Sequence, residues 1–446
     1  MPRPGPPGHR RYRHRAPSPR DTSPEGIAYF RPALLCFPAL TSRRKRRRWL
    51  GDIMKKVMTV YGTRPEGIKM APVIRRLEED PRFESISVVT GQHREMLDQV
   101  GEVLGITPTH DLNVFAPGQT LNEIMAHIIT LLDPILEMKR PDAVVVQGGT
   151  STVAAAALAS FNRHIPVVHL GAGLRSGDIA APFPEEANRS IATRISSLHL
   201  APTQRCRVNL EREGVRSEDI IVTGNTVIDA LMRAVEAEVP IQDERIREAI
   251  ASNAPILLVT AHRRENWGAP MERIGNAVAR LVLRHPGLRV ILPAHLNPIV
   301  RHCLLPPLVG LDNVIACDPL PYGEFIQLLK ASSVVLTDSG GLQEEAPALG
   351  KPVLVLRERT DRPEAVEVGA ARLVGTDEET ILAEVGSLLS LPAGHAPVPE
   401  SVNPYGDGAA AVRAVAGIAA FLGVGDPLPD FVSHTPARPW PLTKSA

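Results

Sequence analysis

Cysteine is scarce in this chain and scattered. Cys36, Cys206, Cys303 and Cys317 form no CxxC pair and no metal-ligand spacing. That excludes a disulfide scaffold and finger-type metal modules, and it makes reduced thiols in a cytoplasmic protein the simplest expectation. Long apolar runs are also missing: none reaches the roughly 18 residues of a membrane span, and no secretory apolar core stands near the start. Net charge is nearly absent too, at +1, but the balance hides an asymmetry. Residues 1–53 carry thirteen Lys/Arg against three acids, a balance of +10, which leaves −9 on the remainder. An acidic body argues against nucleic acid as a partner. The Pro/Arg-rich opening, with its run Arg43–Arg48, cannot build a core, and it reads as a disordered leader or an over-long start ahead of Met54.

At 446 residues, 43% of them apolar and 22% charged, the chain has globular composition and is too long for one ordinary core. From Met54 the pattern is buried strand, loop, helix, repeated. Val57–Gly62, Ile86–Thr90, Ala143–Val146, Val167–Leu170, Leu198–Ala201 and Ile220–Thr223 read as strands of a first parallel sheet. Met70, Val73, Ile74 and Leu77 show helical spacing between the first two. After Val239-Pro240 the signature resumes at Ile256–Val259, Val290–Leu292, Val314–Ala316, Val334–Leu336 and Val353–Leu356. The fold expected is α/β, two Rossmann-like doubly wound domains with a ligand cleft between them. The boundaries read as 54–238 and 239–400, with a C-terminal helix within 401–425 packing back on the body and a tail over 426–446.

The chain is organised around Thr337-Asp338-Ser339-Gly340-Gly341-Leu342-Gln343-Glu344-Glu345. A strand that ends in Ser-Gly-Gly and turns into a helix arrays backbone N–H groups around an anion, at the positive end of the helix dipole. Acids one turn later suit a sugar diol. The same residues also fit a ligand-free turn, because short Gly motifs are common. Gly62-Thr63-Arg64-Pro65-Glu66 places a fixed cation at a strand end, with Lys69 one turn on; together they suit a diphosphate, or Arg64 pairs with a surface acid. His262, after the strand at Ile256–Val259 and followed by Arg263 and Arg264, has the setting of a proton donor to a leaving phosphate, or of a structural histidine. Glu185 and Glu186 open a helix behind Pro182-Phe183-Pro184. There they serve as dipole-capping acids or as a candidate base.

Taken in order, these segments resemble the non-hydrolysing UDP-N-acetylglucosamine 2-epimerase family. The matching stretches are Gly62–Lys69, Gly91–Met96, Ala172–Arg175, Pro182–Arg189, Gly224–Asp229, Thr260–Asn266, His295–Pro298, Thr337–Glu345, Arg362–Glu364 and Asn403–Gly408, collinear from Met54 to about Leu422. The resemblance implies a glycosyltransferase-B-like fold, usually a homodimer, with no metal and no redox cofactor. It implies interconversion of UDP-GlcNAc and UDP-ManNAc by elimination of UDP across C1–C2 and its re-addition. The setting would be cell-surface polysaccharide or specialised amino-sugar biosynthesis, of the antibiotic kind.

Carried over position by position, Arg64 and Lys69 would bind phosphate and His262 would assist the departing UDP. Phe325 would lie against uracil, Ser339, Gly340 and Gly341 would hold the diphosphate, Glu345 the ribose, and Arg362 a phosphate or sugar hydroxyl. Glu185 would be a catalytic carboxylate. Gln92, His93, Met96, Gln119 and His295 would hold a second, activating UDP-GlcNAc, with Glu95 in the same segment.

Two positions depart from the pattern. The family's His-Gly-Asp-Thr is Gln147-Gly148-Gly149-Thr150 here, and its Val-Glu-Ala-Gly-Leu-Arg is Leu170-Gly171-Ala172-Gly173-Leu174-Arg175. Glycine thus replaces two acids expected near the sugar, which is read as opening space and removing negative charge. Loss of one positioned acid or base lowers a rate about 10²–10⁴-fold. Glu185, His169, Asp178 and Glu186 are candidates to take over. The alternatives to epimerisation are a variant that releases UDP and a nucleotide-sugar-binding protein without turnover.

Overall fold

The computed structural model describes residues 54–91, 94–116, 118–391 and 403–433, without the side chains of 94–96. The leader over 1–53 lies outside the described residues.

The first half runs β1 (Lys55–Tyr61), α1 (Arg64–Glu79), β2 (Phe83–Val89), α2 (Arg94–Leu104), β3 (His110–Asp111), α3 (Leu121–Lys139), β4 (Ala143–Gln147) and α4 (Ser151–Asn162). It continues with β5 (Val167–Leu170), α5 (Glu185–Ile195), β6 (Leu198–Ala201), α6 (Gln204–Arg212), β7 (Ile220–Val222), α7 (Thr226–Glu236) and α8 (Glu244–Ala251). The second half holds β8 (Ile256–Thr260), α9 (Ala269–Arg284), β9 (Arg289–Pro293), α10 (Pro298–Leu304), β10 (Val314–Cys317), α11 (Tyr322–Ala331) and β11 (Val334–Thr337). After it come α12 (Gly340–Ala348), β12 (Val353–Val355), α13 (Pro363–Glu367), β13 (Ala371–Leu373), α14 (Glu378–Leu389) and α15 (Ala410–Phe421).

Every strand pair is parallel, and the two sheets order as β3-β2-β1-β4-β5-β6-β7 and β10-β9-β8-β11-β12-β13. Both are doubly wound, and together they form the glycosyltransferase-B-like α/β architecture. The strands are short, branched and buried on both faces, as covered parallel strands must be: all five residues of Ala143–Gln147 are buried. In each sheet the winding reverses beside its first strand, between β1 and β4 and between β8 and β11. Crevices at such reversals lie outside the carboxyl ends of the strands and are where ligands bind. The loops after these four strands are Gly62–Thr63, Gly148–Thr150, Ala261–Arg263 and Asp338–Ser339, the segments the sequence singles out.

One apolar core runs through both halves, joining Val57, Ile74 and Leu231 to Leu258, Ile326 and Val335. The C-terminal helix α15 packs on α1, α7 and β6 of the first half. Asp229 on α7 caps it, accepting the Ala410 and Ala411 N–H groups at 3.2 and 2.9 Å. Tyr405 joins the halves just before α15. Its carbonyl accepts the Asn225 N–H at 2.7 Å, while its hydroxyl accepts the Ala365 N–H at 3.1 Å and donates to the Arg362 carbonyl at 3.2 Å. Within the stretch read as a tail, Asp430 and Phe431 dock on edge strand β7: the Val222 N–H donates to Asp430 at 3.0 Å and the Phe431 N–H to the Val222 carbonyl at 2.7 Å. This covers backbone that would otherwise offer an open sheet edge. Residues 392–402 and 434–446 lie outside the described residues.

Candidate functional site

Three helices begin at the two sheet reversals, and their N-termini differ in what already fills them. At α1 the buried Glu66 side chain turns back and accepts the Gly62 and Thr63 N–H groups at 2.7 and 2.8 Å, and its other oxygen takes the Thr150 hydroxyl at the start of α4. The positive ends of α1 and α4 therefore already share an internal carboxylate. At α12 no side chain caps the helix: Ser339 makes no capping bond, and its own N–H donates to the Thr337 hydroxyl at 2.9 Å. Two guanidiniums flank this open end. A Cβ on Gly340 would lie 3.4 Å from both the Arg263 Nη2 and the Arg362 Cζ. Helix dipole, unclaimed N–H groups and two arginines converge on one place, an arrangement suited to an anion.

Asp338, fully buried at the end of β11, organises the facing loop. Its carboxylate accepts the His262 N–H at 2.9 Å, the Arg263 N–H at 2.9 Å and the Asn266 amide at 3.0 Å. The His262 Nδ1 stands 3.1 Å from the same group. Burial alone would raise the Asp338 carboxyl, but the bonds and charge from His262 outweigh it and hold the group below its ordinary range. A carboxylate at Nδ1 assigns the ring proton there and leaves Nε2 as the ring's free nitrogen. The ring is part-exposed, and His295 stacks on it with centroids 5.8 Å apart.

Across the cleft, Lys69 on α1 reaches Glu344 on α12 at 3.0 Å, and Arg362 Nε reaches the other Glu344 oxygen at 3.0 Å. Arg362 also pairs with Asp361. Lys69, expected on phosphate, and Arg362, expected on a phosphate or sugar hydroxyl, thus share a buried carboxylate, which ties the two halves together behind the α12 turn. Arg64 is part-buried near Glu345 and Tyr322; burial lowers its pKa and Glu345 opposes that shift. Glu345 accepts the Tyr322 hydroxyl at 3.0 Å, and burial pushes its carboxyl up to about 7. Below pH 4.5 both folded and unfolded chains hold this proton. Between there and pH 7 only the folded chain does, so stability falls as pH rises through that window. Glu345→Gln is therefore expected to raise stability by up to roughly 3 kcal/mol at pH 8 and by little at pH 4. Urea unfolding at the two pH values measures it, and equal shifts at both would refute the assignment.

The opposite wall is built by the ends of β4 and β5 and the start of α5. The expectation that glycine opens space there is not met. A Cβ on Gly149 would lie 2.4 Å from the Arg189 Cγ and 2.6 Å from the Glu185 carbonyl oxygen, and one on Gly171, at φ +72°, 3.0 Å from the Gln147 Nε2. The wall has closed over Gly149, because α5 and its arginine pack where a side chain would stand, while at Gly171 only the end of the Gln147 side chain stands close.

Of the four candidate replacement groups, three are committed elsewhere or unsuited. Glu186 pairs with Arg189 and accepts the Ser176 N–H at 3.1 Å. Asp178 is exposed and accepts the Ala180 N–H at 2.9 Å. His169 is fully buried, its Nε2 is 2.8 Å from the Gly148 carbonyl, and burial pushes its pKa down to about 3, too low for a base at neutral pH. Glu185, half-buried at the first position of α5, is paired with no described residue. The His169 Nδ1, the Ser151 Oγ and the Arg189 Nε are also buried without hydrogen-bond partners.

Phe325 lies on α11, half-buried against the main core. Of the expected activator residues, Gln119 and His295 have described side chains. His295 stands with His262, whereas Gln119 is held in its own loop by the Ala116 N–H at 2.7 Å and His127 at 2.9 Å. Gln92 and His93, and the side chains of Glu95 and Met96, lie outside the described residues. Sequence reasoning missed the roles of Asp338, Glu344 and Tyr322. The first two sit inside the motif it prized, and the only available signal for Asp338 was an acid directly after a buried strand.

Comparison with known proteins identifies the family and the fold. Residues 75–419 match the family described as UDP-N-acetylglucosamine 2-epimerase. The UDP-N-acetylglucosamine 2-epimerase of Escherichia coli K12 is 47% identical over 365 residues, covering 80% of this chain and 96% of that protein. Among solved structures, the UDP-GlcNAc 2-epimerase of Neisseria meningitidis bound to UDP-GlcNAc is 43% identical with a TM-score of 0.76, over 82% of this chain and 100% of that one. The Methanocaldococcus jannaschii enzyme in complex with UDP-GlcNAc and UDP is 33% identical with a TM-score of 0.69, over 82% and 99%.

Proposed function

We propose, for a chain that belongs to the UDP-N-acetylglucosamine 2-epimerase family, that it interconverts UDP-GlcNAc and UDP-ManNAc without hydrolysis, and that α12 is its diphosphate cradle. The observation that carries this reading is the uncapped Ser339-Gly340 turn between Arg263 and Arg362, facing a wall whose one unpaired acid is Glu185.

The chemistry follows from what each side supplies. The C1–O bond to the diphosphate must break as the C2–H bond breaks. The electron pair of the C–H bond becomes the C1–C2 double bond, and UDP leaves with the C1–O pair. The α12 N–H groups, Ser339, Gly341, Arg64, Arg263 and Arg362 stabilise the charge that gathers on the departing diphosphate. His262, held by Asp338 at Nδ1, presents Nε2 for proton exchange with that leaving group. Glu185 takes the C2 proton. Glu345 and Tyr322 meet the ribose and Phe325 the uracil. Re-addition of UDP, after a proton reaches the other face of C2, completes the epimerisation.

Incubation with UDP-GlcNAc in D₂O tests this: UDP-ManNAc carrying deuterium at C2 is expected, and recovery of unlabelled UDP-GlcNAc alone would sink it. The wall favours one second reading, elimination without return, because it offers a single free carboxylate; free UDP in amounts equal to the substrate lost would mark it. A homodimer is part of the same proposal, supported by the exposed apolar side chains Leu131, Met138, Leu158 and Phe161 on the packed pair α3 and α4.

A further inference from the structure

Further along α1, beyond the cleft, three arginines meet, and the nearby acids leave one of them, Arg233, unpaired among the described residues. Arg75 and Arg76 on α1 and Arg233 on α7 line a cavity of about 160 Å³ together with Glu79, Asp229, Leu104, Pro72 and Ala411. Arg75 and Arg76 have acids beside them, Glu78 and Asp80 as well as Glu79. Glu79 is shared between Arg75 at 3.3 Å and Arg76 at 3.4 Å, both at the long limit of a useful bond. Asp229 is spent on the N–H groups of Ala410 and Ala411 that begin α15. Arg233 pairs with no described residue, and its Nε is buried without a hydrogen-bond partner. Its Nη2 and the Arg75 Nη1 converge, lying 3.4 and 3.0 Å from the point where a Cβ on Gly105 would sit.

A buried guanidinium nitrogen left without an acceptor is unfavourable, and a second like charge beside it adds to the penalty. An anion with several oxygens removes both. Phosphate suits best, since guanidiniums bind it in paired, parallel hydrogen bonds. The volume falls below the roughly 300 Å³ at which drug-sized pockets begin, so it takes a phosphate group and not a whole nucleotide sugar. We infer that the α1–α7–α15 cavity is a second anion site that binds a phosphate or the phosphate end of a small metabolite through Arg233 and Arg75. It stands eleven residues along α1 from Arg64, about 16 Å at the helical rise, so it is separate from the α12 cradle and independent of the proposed reaction.

Thermal unfolding of the full chain tests this, with saturating UDP present and phosphate replacing chloride at constant ionic strength. A saturable rise in Tm is expected for the wild type, with the midpoint at least tenfold weaker in Arg233→Gln and in Arg75→Gln. The second variant carries the comparison if the first does not fold. Glucose 6-phosphate run in parallel distinguishes the sources: a tighter midpoint for the ester supports a metabolite as occupant, a tighter midpoint for inorganic phosphate the free ion. An unsaturable rise, or equal midpoints in wild type and variants, would overturn the site.

Discussion

His262→Ala is expected to lower kcat about 10²–10⁴-fold while changing UDP affinity far less. In the proposed reaction the imidazole exchanges a proton with the leaving group in the transition state, whereas the ground-state diphosphate is held by α12 and its arginines. Asp338→Asn is the companion variant, because Asp338 acts through the histidine. Its carboxylate accepts three N–H groups and faces the ring Nδ1. An amide at that place offers donors to donors, so the ring loses its orientation and the preferred tautomer. The expected signature is a fall in kcat with a displaced pH profile, at near-constant KM. A variant that lost only stability would show neither. Steady-state kinetics across pH, with calorimetric UDP binding, separates the cases, and an unchanged kcat in His262→Ala would remove the histidine from the mechanism.

Gly149→Asp and Gly171→Glu, which put the family's acids back, are expected to fail as rescues and to destabilise the fold. At Gly149 a Cβ would enter space held by the Glu185 carbonyl oxygen at 2.6 Å. That neighbour is backbone and cannot swing aside as a side chain end would. Overpacking of this kind costs about 1–3 kcal/mol. At Gly171 the backbone is left-handed, which costs a non-glycine residue roughly 1–2 kcal/mol, and the Gln147 amide crowds the new atom. The Gly149 change displaces α5 and with it Glu185, the proposed base. Denaturant unfolding and the deuterium assay on the same preparations measure both effects. A faster enzyme of undiminished stability would show that the wall had kept room for the acids.

Much of this was legible in the chain. The strand at Ala143–Val146 could be read because covered parallel strands are continuous apolar runs, and the Ser339-Gly340-Gly341 turn because glycine and a helix start have a fixed meaning after such a run. β3 and β13, His110–Asp111 and Ala371–Leu373, are short and interrupted by charge, so they leave no apolar run to read. The order of strands was hidden as well, since pairing joins segments far apart in sequence. The site divides the same way. His262 announced itself by its position, but nothing local says that Asp338 would sit at its Nδ1, or that Glu344 would claim both Lys69 and Arg362. The closing of the wall over Gly149 was illegible for the opposite reason: glycine leaves a vacancy on paper, and only packing decides who takes it.

The return of α15 to the first half has a consequence for how the protein is made. That half needs a helix that begins at Ala410, so its α1–α7 surface stays bare until residues 237–409 have been synthesised. At 5–20 residues per second, the wait is on the order of ten to thirty seconds. During it, the apolar surface that Ala414, Val415 and Ile418 will cover is open to any passing chain. A ribosome that stalls in the second half therefore releases a first half that cannot finish folding on its own, and expression trials that truncate the C-terminus will meet the same sticky intermediate.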